Sequence, residues 1–303
     1  MGLTLTVVGS VAIDNVQTPL AKRENILGGS ATFASYAASF FVPVQLVGVV
    51  GEDWLPEHTK LFQEHGIDTE GLEIEKNGKT FRWSGKYLDN MNDRETLDTQ
   101  LNVLGNFKPK LPESYRQTKY LFLGNGAPST GLEALNQIKG ADLVVADTMD
   151  LWINVARNDL DQLLQRIDGL VLNDSEAKQL TGEINTLSAG RKILENGLKF
   201  VVVKKGEHGA FFLSRDEIYV VPAFPTEDVV DPTGAGDSFA GAMFAYIVAQ
   251  NGKLDETTIK NALVYGTLIA SFCVEGFSLE RLQKINSAEI KNRLSQFRKI
   301  TSF

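Results

Sequence analysis

Four short runs along the chain are apolar throughout, with no alternation: residues 5–8, 143–146, 170–172 and 200–203. A strand wetted on one face alternates apolar and polar positions. A strand of a parallel sheet covered by helices on both faces reads as a continuous apolar run. Between these runs lie stretches with apolar residues at helical spacing, among them 154–167 and 187–196. The alternation predicts right-handed βαβ units, and so an α/β fold with a mostly parallel central sheet flanked by helices. Ligands of such sheets gather beyond the C-terminal strand ends. That rule directs attention to Asn173, which follows the run 170–172, and to Lys204, which follows 200–203. Two segments break the pattern. Residues 13–27 follow the first strand without helical spacing, and residues 67–103 are polar and threonine-rich, with period-two stretches such as Phe81-Arg82-Trp83-Ser84-Gly85-Lys86-Tyr87. Long inserts in compact domains are usually functional. Both segments are therefore predicted to form a small β-sheet lid, residues 13–27 and 67–103, over a core of residues 1–12, 28–66 and 104–303. A β-edge that only joins two copies is the alternative reading of the same surface. From Ser287 onward the chain reads as a capped, charged, exposed helix without a functional signal.

The strongest local signal is Asp231-Pro232-Thr233-Gly234-Ala235-Gly236-Asp237-Ser238-Phe239-Ala240-Gly241, which opens a strongly apolar helix over residues 239–248. Two glycines one residue apart allow successive N–H groups to curl into one anion-binding concavity. The following helix adds the positive end of its dipole. Asp237 places a carboxylate at the same spot, where it would repel an anion. The arrangement makes sense if this acid takes a proton from a hydroxyl that attacks a phosphate held in the concavity. Read alone, the same residues also describe a tight turn with Asp237 as the helix N-cap. Likewise Asn173-Asp-Ser-Glu176 is by itself a helix-capping sequence.

The stretch around Asp237 resembles the C-terminal signature of the ribokinase-like (PfkB) sugar and nucleoside kinases, Asp-Thr-Thr-Gly-Ala-Gly-Asp-Ser-Phe, and differs from it only at Pro232. Further family landmarks follow in the family's order: Gly28-Gly29 before a helix at 30–41, Asn173-x-x-Glu176, and Lys204-Lys205-Gly206-x-x-Gly209. The resemblance covers nearly the whole chain. It implies a ribokinase-like fold with a β-lid, and an ATP-dependent kinase that transfers the γ-phosphate to a hydroxyl of a small carbohydrate or nucleoside. It implies Asp237 as catalytic base, with Gly234, Ala235 and Gly236 presenting N–H groups to the developing charge. Asn173 and Glu176 would organise Mg²⁺ and its waters, Glu176 through water. Lys204, by its family position, and Gly206 and Gly209 would meet the nucleotide. Asp231 stands where some relatives bind a monovalent cation. Asp14, Gly28 and Gly29 would meet the acceptor. Phe33 departs from the family, which usually carries asparagine at this offset. With Phe81 and Trp83 it suggests room for a flat base and a slight lean toward nucleosides, although the same aromatics also describe core packing. The family's lid can also mediate a homodimer.

Composition narrows the surroundings. A net charge of −8 argues against nucleic-acid or anionic-membrane partners, so an anionic nucleotide must be drawn by local groups. The single cysteine, Cys273, suits a reducing cytoplasm and sits in an apolar run, as a buried thiol would. His58, His65 and His208 show no metal-ligand spacing. Met1-Gly2-Leu3-Thr4 does not begin a signal peptide, and the most apolar stretch, 36–50, contains Pro43 and Gln45 and is too short for a bilayer. A cytoplasmic protein is expected. Gly78-Lys79-Thr80 imitates the end of a Walker loop, but Glu73 occupies the position of its first glycine. No dinucleotide glycine motif follows the first strand. A catalytically silent binding or sensor protein on the kinase fold is the competing reading, and the intact Asp237 and its glycines weigh against it.

Overall fold

Each apolar run becomes a strand of one large sheet in the computed structural model, which describes residues 3–302. The chain forms β1 (Leu5–Val8), β2 (Ala12–Gln17), β3 (Lys22–Gly28), α1 (Ser30–Ala38), β4 (Val44–Gly51), α2 (Pro56–Glu64) and β5 (Ile67–Glu75). There follow β6 (Phe81–Tyr87), β7 (Arg94–Gln100), β8 (Tyr120–Leu123), α3 (Pro128–Gln137), β9 (Leu143–Asp147), α4 (Asp150–Val155) and α5 (Arg157–Leu164). Next come β10 (Gly169–Asn173), α6 (Asp174–Thr181), α7 (Thr186–Leu194), β11 (Phe200–Lys204), β12 (Ala210–Ser214) and β13 (Ile218–Val221). The chain closes with α8 (Ala235–Ala249), α9 (Glu256–Cys273) and α10 (Ser287–Thr301).

The large sheet has nine strands in the order β13-β12-β11-β10-β9-β8-β1-β4-β5. All neighbours from β11 to β5 are parallel, and β12 and β13 add an antiparallel edge. The continuous apolar runs are explained by burial on both faces. Val145, Val171 and Val202 enter one core with α1, α8 and α9, while Val144, Leu170, Leu172, Val201 and Val203 enter a second core with α3, α5, α6 and α7. The helical stretch at 154–167 is divided: Ala156, at φ −133° and ψ 35°, leaves helical geometry between α4 and α5. The tail helix α10 is capped by Asn286 and is not exposed all round, since Ile290, Leu294 and Phe297 pack inward. Among the described residues no helix is long and apolar enough to cross a membrane.

A second sheet of four strands, β3-β2-β6-β7, forms from parts of the two polar segments. The segment 67–103 requires a correction. Its first part, β5, is the edge of the large sheet, pairing parallel to β4 from Ile67 against Val44 to Glu75 against Gly51. Ile67 is fully buried, and at Gly71 a Cβ would lie 2.7 Å from the Leu46 carbonyl oxygen, so this strand lies tight on the core. Its polar residues face solvent because it is the sheet's last strand. The small sheet thus takes residues 12–28 and 81–100.

Candidate active site

The motif at 231–241 builds a sharp entry into α8. Gly234 is left-handed, φ 77°, and caps the helix without a side-chain bond. Asp237 therefore lies inside the first turn and is not the N-cap. The glycine is enforced twice, by its φ and by Phe33, whose ring atoms would lie 2.3 Å from a Cβ at 234. The N–H of Ala235 donates to Pro232 O at 3.1 Å, whereas no backbone partner takes that of Gly236 among the described residues. Among the described residues the N–H groups of Gly234 and Gly236 are thus left without a backbone acceptor, and that of Ala235 is engaged within the turn.

The C-terminal strand ends converge on this turn. Lys204, at the end of β11, reaches across β10 to Asp147 at the end of β9, with Nζ 2.8 Å from Oδ2. The same Nζ would lie 3.1 Å from a Cβ at Gly236, so the ammonium rests against the helix entry. The neighbouring Lys205 instead lies over the Phe211 ring. Burial opposes the charge on Lys204, but Asp147, Glu176 and Asp237 hold its pKa above the ordinary lysine value. Asp237 is pushed up to about 7 by burial and then by Asp147, with Lys204 and Arg94 pulling it back. At the end of β10, Asn173 and Glu176 form a reciprocal capping box. Asn173 N donates to Glu176 Oε2 at 2.7 Å, and Glu176 N donates to Asn173 Oδ1 at 2.8 Å. Burial raises Glu176 to about 7, against the nearby Lys204. Among the described residues no three His, Cys, Asp or Glu side chains group as a metal cage.

A second acidic centre faces the first. The Asp14 carboxylate occupies the space that Gly28 leaves, because a Cβ there would lie 1.8 Å from Oδ2. Gly29 has φ 93°, and a Cβ on it would meet Ser10 O at 2.4 Å. Burial, then Asp231, lifts Asp14 to about 8. Burial also lifts Asp231, against hydrogen bonds from Thr233, whose N–H donates to Oδ1 at 2.9 Å. Asp14 Oδ1 and Asp231 Oδ2 are both buried without a hydrogen-bond partner. Buried polar atoms are nearly always paired, so among the described residues these two acids stand out as lacking a partner, as do hydroxyls such as those of Thr148 and Ser238.

The small sheet touches both centres. Tyr87 accepts a hydrogen bond from Thr233 Oγ1 at 3.2 Å, and Arg94 is its ladder partner on β7. At the β6–β7 turn, Asn92 Nδ2 donates to Glu207 Oε1 at 3.2 Å, within the turn that carries Gly206 and Gly209. Phe33 is placed differently from expectation. It is 1% exposed, packed beneath Gly234, and offers no open face to Phe81 or Trp83. The Trp83 ring lies instead over Gly85 and near Arg94. Cys273 is a buried thiol, raised to about 12 by burial, and donates to the Thr233 carbonyl from below the turn. Sequence reasoning missed Asp147, Arg94 and Tyr87. Asp147 could have been found by the rule that found Asn173 and Lys204, since it directly follows the run 143–146.

Comparison with known proteins agrees with this architecture. The model of the pfkB family of carbohydrate kinases matches residues 3–282. A cytidine kinase from Thermococcus kodakarensis is 30% identical over 248 residues, covering 80% of this chain and 88% of that protein. Among solved structures, a nucleoside kinase from Burkholderia thailandensis in complex with inosine superposes with a TM-score of 0.77 at 18% identity, covering 98% of each chain. An E. coli protein of ribokinase type, solved with ATP and Mg²⁺, superposes with a TM-score of 0.78 at 20% identity, covering 97% of this chain and 99% of that one. With its signature turn at the strand ends and a family match over nearly all its length, this chain belongs to the pfkB family of carbohydrate kinases.

Proposed function

We propose that this kinase uses ATP as donor and transfers its γ-phosphate to a hydroxyl of a nucleoside, with Asp237 as catalytic base. The observation that carries the reading is the grouping of three features at one helix entry: left-handed Gly234, the Lys204 ammonium packed against Gly236, and Asp237 in the first turn, near enough to feel the charge of Lys204. Asp237 takes the proton of the acceptor hydroxyl as its oxygen forms a bond to the γ-phosphorus. The bond from that phosphorus to the β-phosphate bridging oxygen breaks, and its electron pair leaves with ADP. The outward N–H groups of the turn, the α8 dipole and Lys204 stabilise charge on the transferred group, a preorganised arrangement in which one donor is typically worth about 3 kcal/mol. Asp14, with its unpaired Oδ1, accepts hydrogen bonds from acceptor hydroxyls.

Mg²⁺ fits the donor set, because it retains its waters and needs few direct protein ligands. Asn173 and Glu176 at the start of α6 would hold it through that water shell. When bound it neutralises phosphate charge. Asp231, buried with an unpaired Oδ2, is the residue that would serve a monovalent cation. The small sheet acts as the lid over the acceptor, and the same sheet is the surface for any homodimer.

The lean toward nucleosides rests on the cytidine kinase likeness and no longer on Phe33. A screen of nucleosides, pentoses, hexoses and inositols with ATP tests it. Cytidine or another nucleoside is expected to give the highest kcat/KM, and a free sugar that clearly outperforms every nucleoside would overturn the acceptor assignment alone.

A further inference from the structure

Asp147 lies outside every motif by which the site could be read, yet it is the carboxylate paired to the site's largely buried cation. Its side chain is 4% exposed, and both its oxygens are engaged: Oδ1 accepts from Thr148 N and Oδ2 from Lys204 Nζ, each at 2.8 Å. With both oxygens engaged, it is poorly placed to take a proton from an acceptor. The Lys204 side chain, by contrast, is a flexible four-carbon stem that no packing alone would fix at one point. It crosses the end of β10 to meet Asp147, and this places its ammonium against Gly236. A buried pair that served only stability could be replaced by apolar residues. This one sits at the strand ends, beside the reactive turn.

We infer that Asp147 is a positioning residue that holds the Lys204 ammonium against the Gly234–Gly236 turn, where charge develops on the transferred phosphoryl group. The inference rests on the proposed role of Asp237 and extends it to a residue on another strand. Asp147 acts through Lys204 and touches no reactant. The charged groups acting on Asp237 are Asp147 from β9, Lys204 from β11 and Arg94 from β7, with Asp14 from β2 interacting from the acceptor side.

The test is a double-mutant cycle of Asp147→Asn and Lys204→Met, assayed with ATP and cytidine, or with ribose if cytidine is not taken. Asp147→Asn is expected to lower kcat about tenfold or more while acceptor KM stays within about twofold, and to cost nothing further in the Lys204→Met background. The acidic limb of kcat/KM should also move in opposite directions. It falls in Asp147→Asn, which removes a negative neighbour of Asp237, and rises in Lys204→Met, which removes a positive one. Additive losses around the cycle, or an acidic limb that stays put in both variants, would overturn the inference. If Asp147→Asn leaves too hostile a buried lysine to fold, Lys204→Met and the double variant still decide it, because the double variant retains neither charge. Equal kcat in those two supports the positioning role, and a further loss in the double variant overturns it. A wild-type protein without ATP-dependent transfer would remove both readings together, whereas additive losses remove only the role of Asp147.

Discussion

Asp14, buried, and Asp237, half-buried, are acids desolvated against their own charge. Their pKa values, about 8 and about 7, lie well above the ordinary 3.8, with burial as the first cause of each. Each therefore binds its proton more tightly folded than unfolded. The folded state carries more protons between the two pKa values, and stability falls as pH rises through that window. The contribution is fully present below about pH 4 and is lost by about pH 8. For the ligand-free protein, the thermal midpoint should decline from about pH 5 to about pH 8, and Asp14→Asn should flatten that decline and raise the midpoint at the alkaline end. An unchanged slope in the variant would mean that Asp14 titrates near its ordinary value. The same desolvation is useful in the proposed reaction, because a base poised near neutrality combines a sufficient ionised fraction with proton affinity.

In the proposed reaction the small sheet is the lid that captures the acceptor. Arg82 on β6 ties it to the core by donating to Asp53 Oδ2 at 3.0 Å, and binds within the sheet to Asn25 Oδ1 on β3 at 2.8 Å. Tyr87 and Asn92 reach the two sides of the strand-end site. Amide hydrogen exchange should slow in β2, β3, β6 and β7 when ATP and acceptor bind, while β5 keeps its rate. Equal rates in all five strands with and without saturating ligands would remove the lid role. This prediction also marks where the sequence ceased to be legible. Apolar runs announced the parallel strands because burial on both faces leaves no other pattern. The Gly-Ala-Gly-Asp turn announced itself because the chemistry proposed for it requires those residues at those offsets. β5 was indistinguishable from a lid strand, since a polar edge strand reads the same in either sheet. Asp147 was overlooked because its meaning depends on Lys204, 57 residues away, and only the order β9-β10-β11 brings them together. Phe33 suggested an open aromatic face because nothing in its neighbours says that Gly234 packs on it from the far end of the chain.

At the scale of the whole molecule, the proposed reaction requires a protein of net charge −8 to receive an anionic nucleotide. The global field opposes this, so the burden falls on local cations and on metal. Activity should vanish with a chelator and return with Mg²⁺, and Glu176→Ala should raise the Mg²⁺ concentration for half-maximal rate. An unchanged metal requirement in that variant would leave Glu176 with only the capping role it visibly has toward Asn173. The two cores, the sheet between them and the small sheet all place one carboxylate at one helix entry, where in the proposed reaction it takes the acceptor's proton. The most direct measurement is kcat for ATP-dependent phosphorylation of the preferred acceptor by the wild type and by Asp237→Asn, with folding of both verified by thermal unfolding. The account predicts a fall of about 10²–10⁴-fold, the usual contribution of a positioned base, with the fold and nucleotide binding retained. Near-normal turnover in a folded Asp237→Asn protein would contradict it.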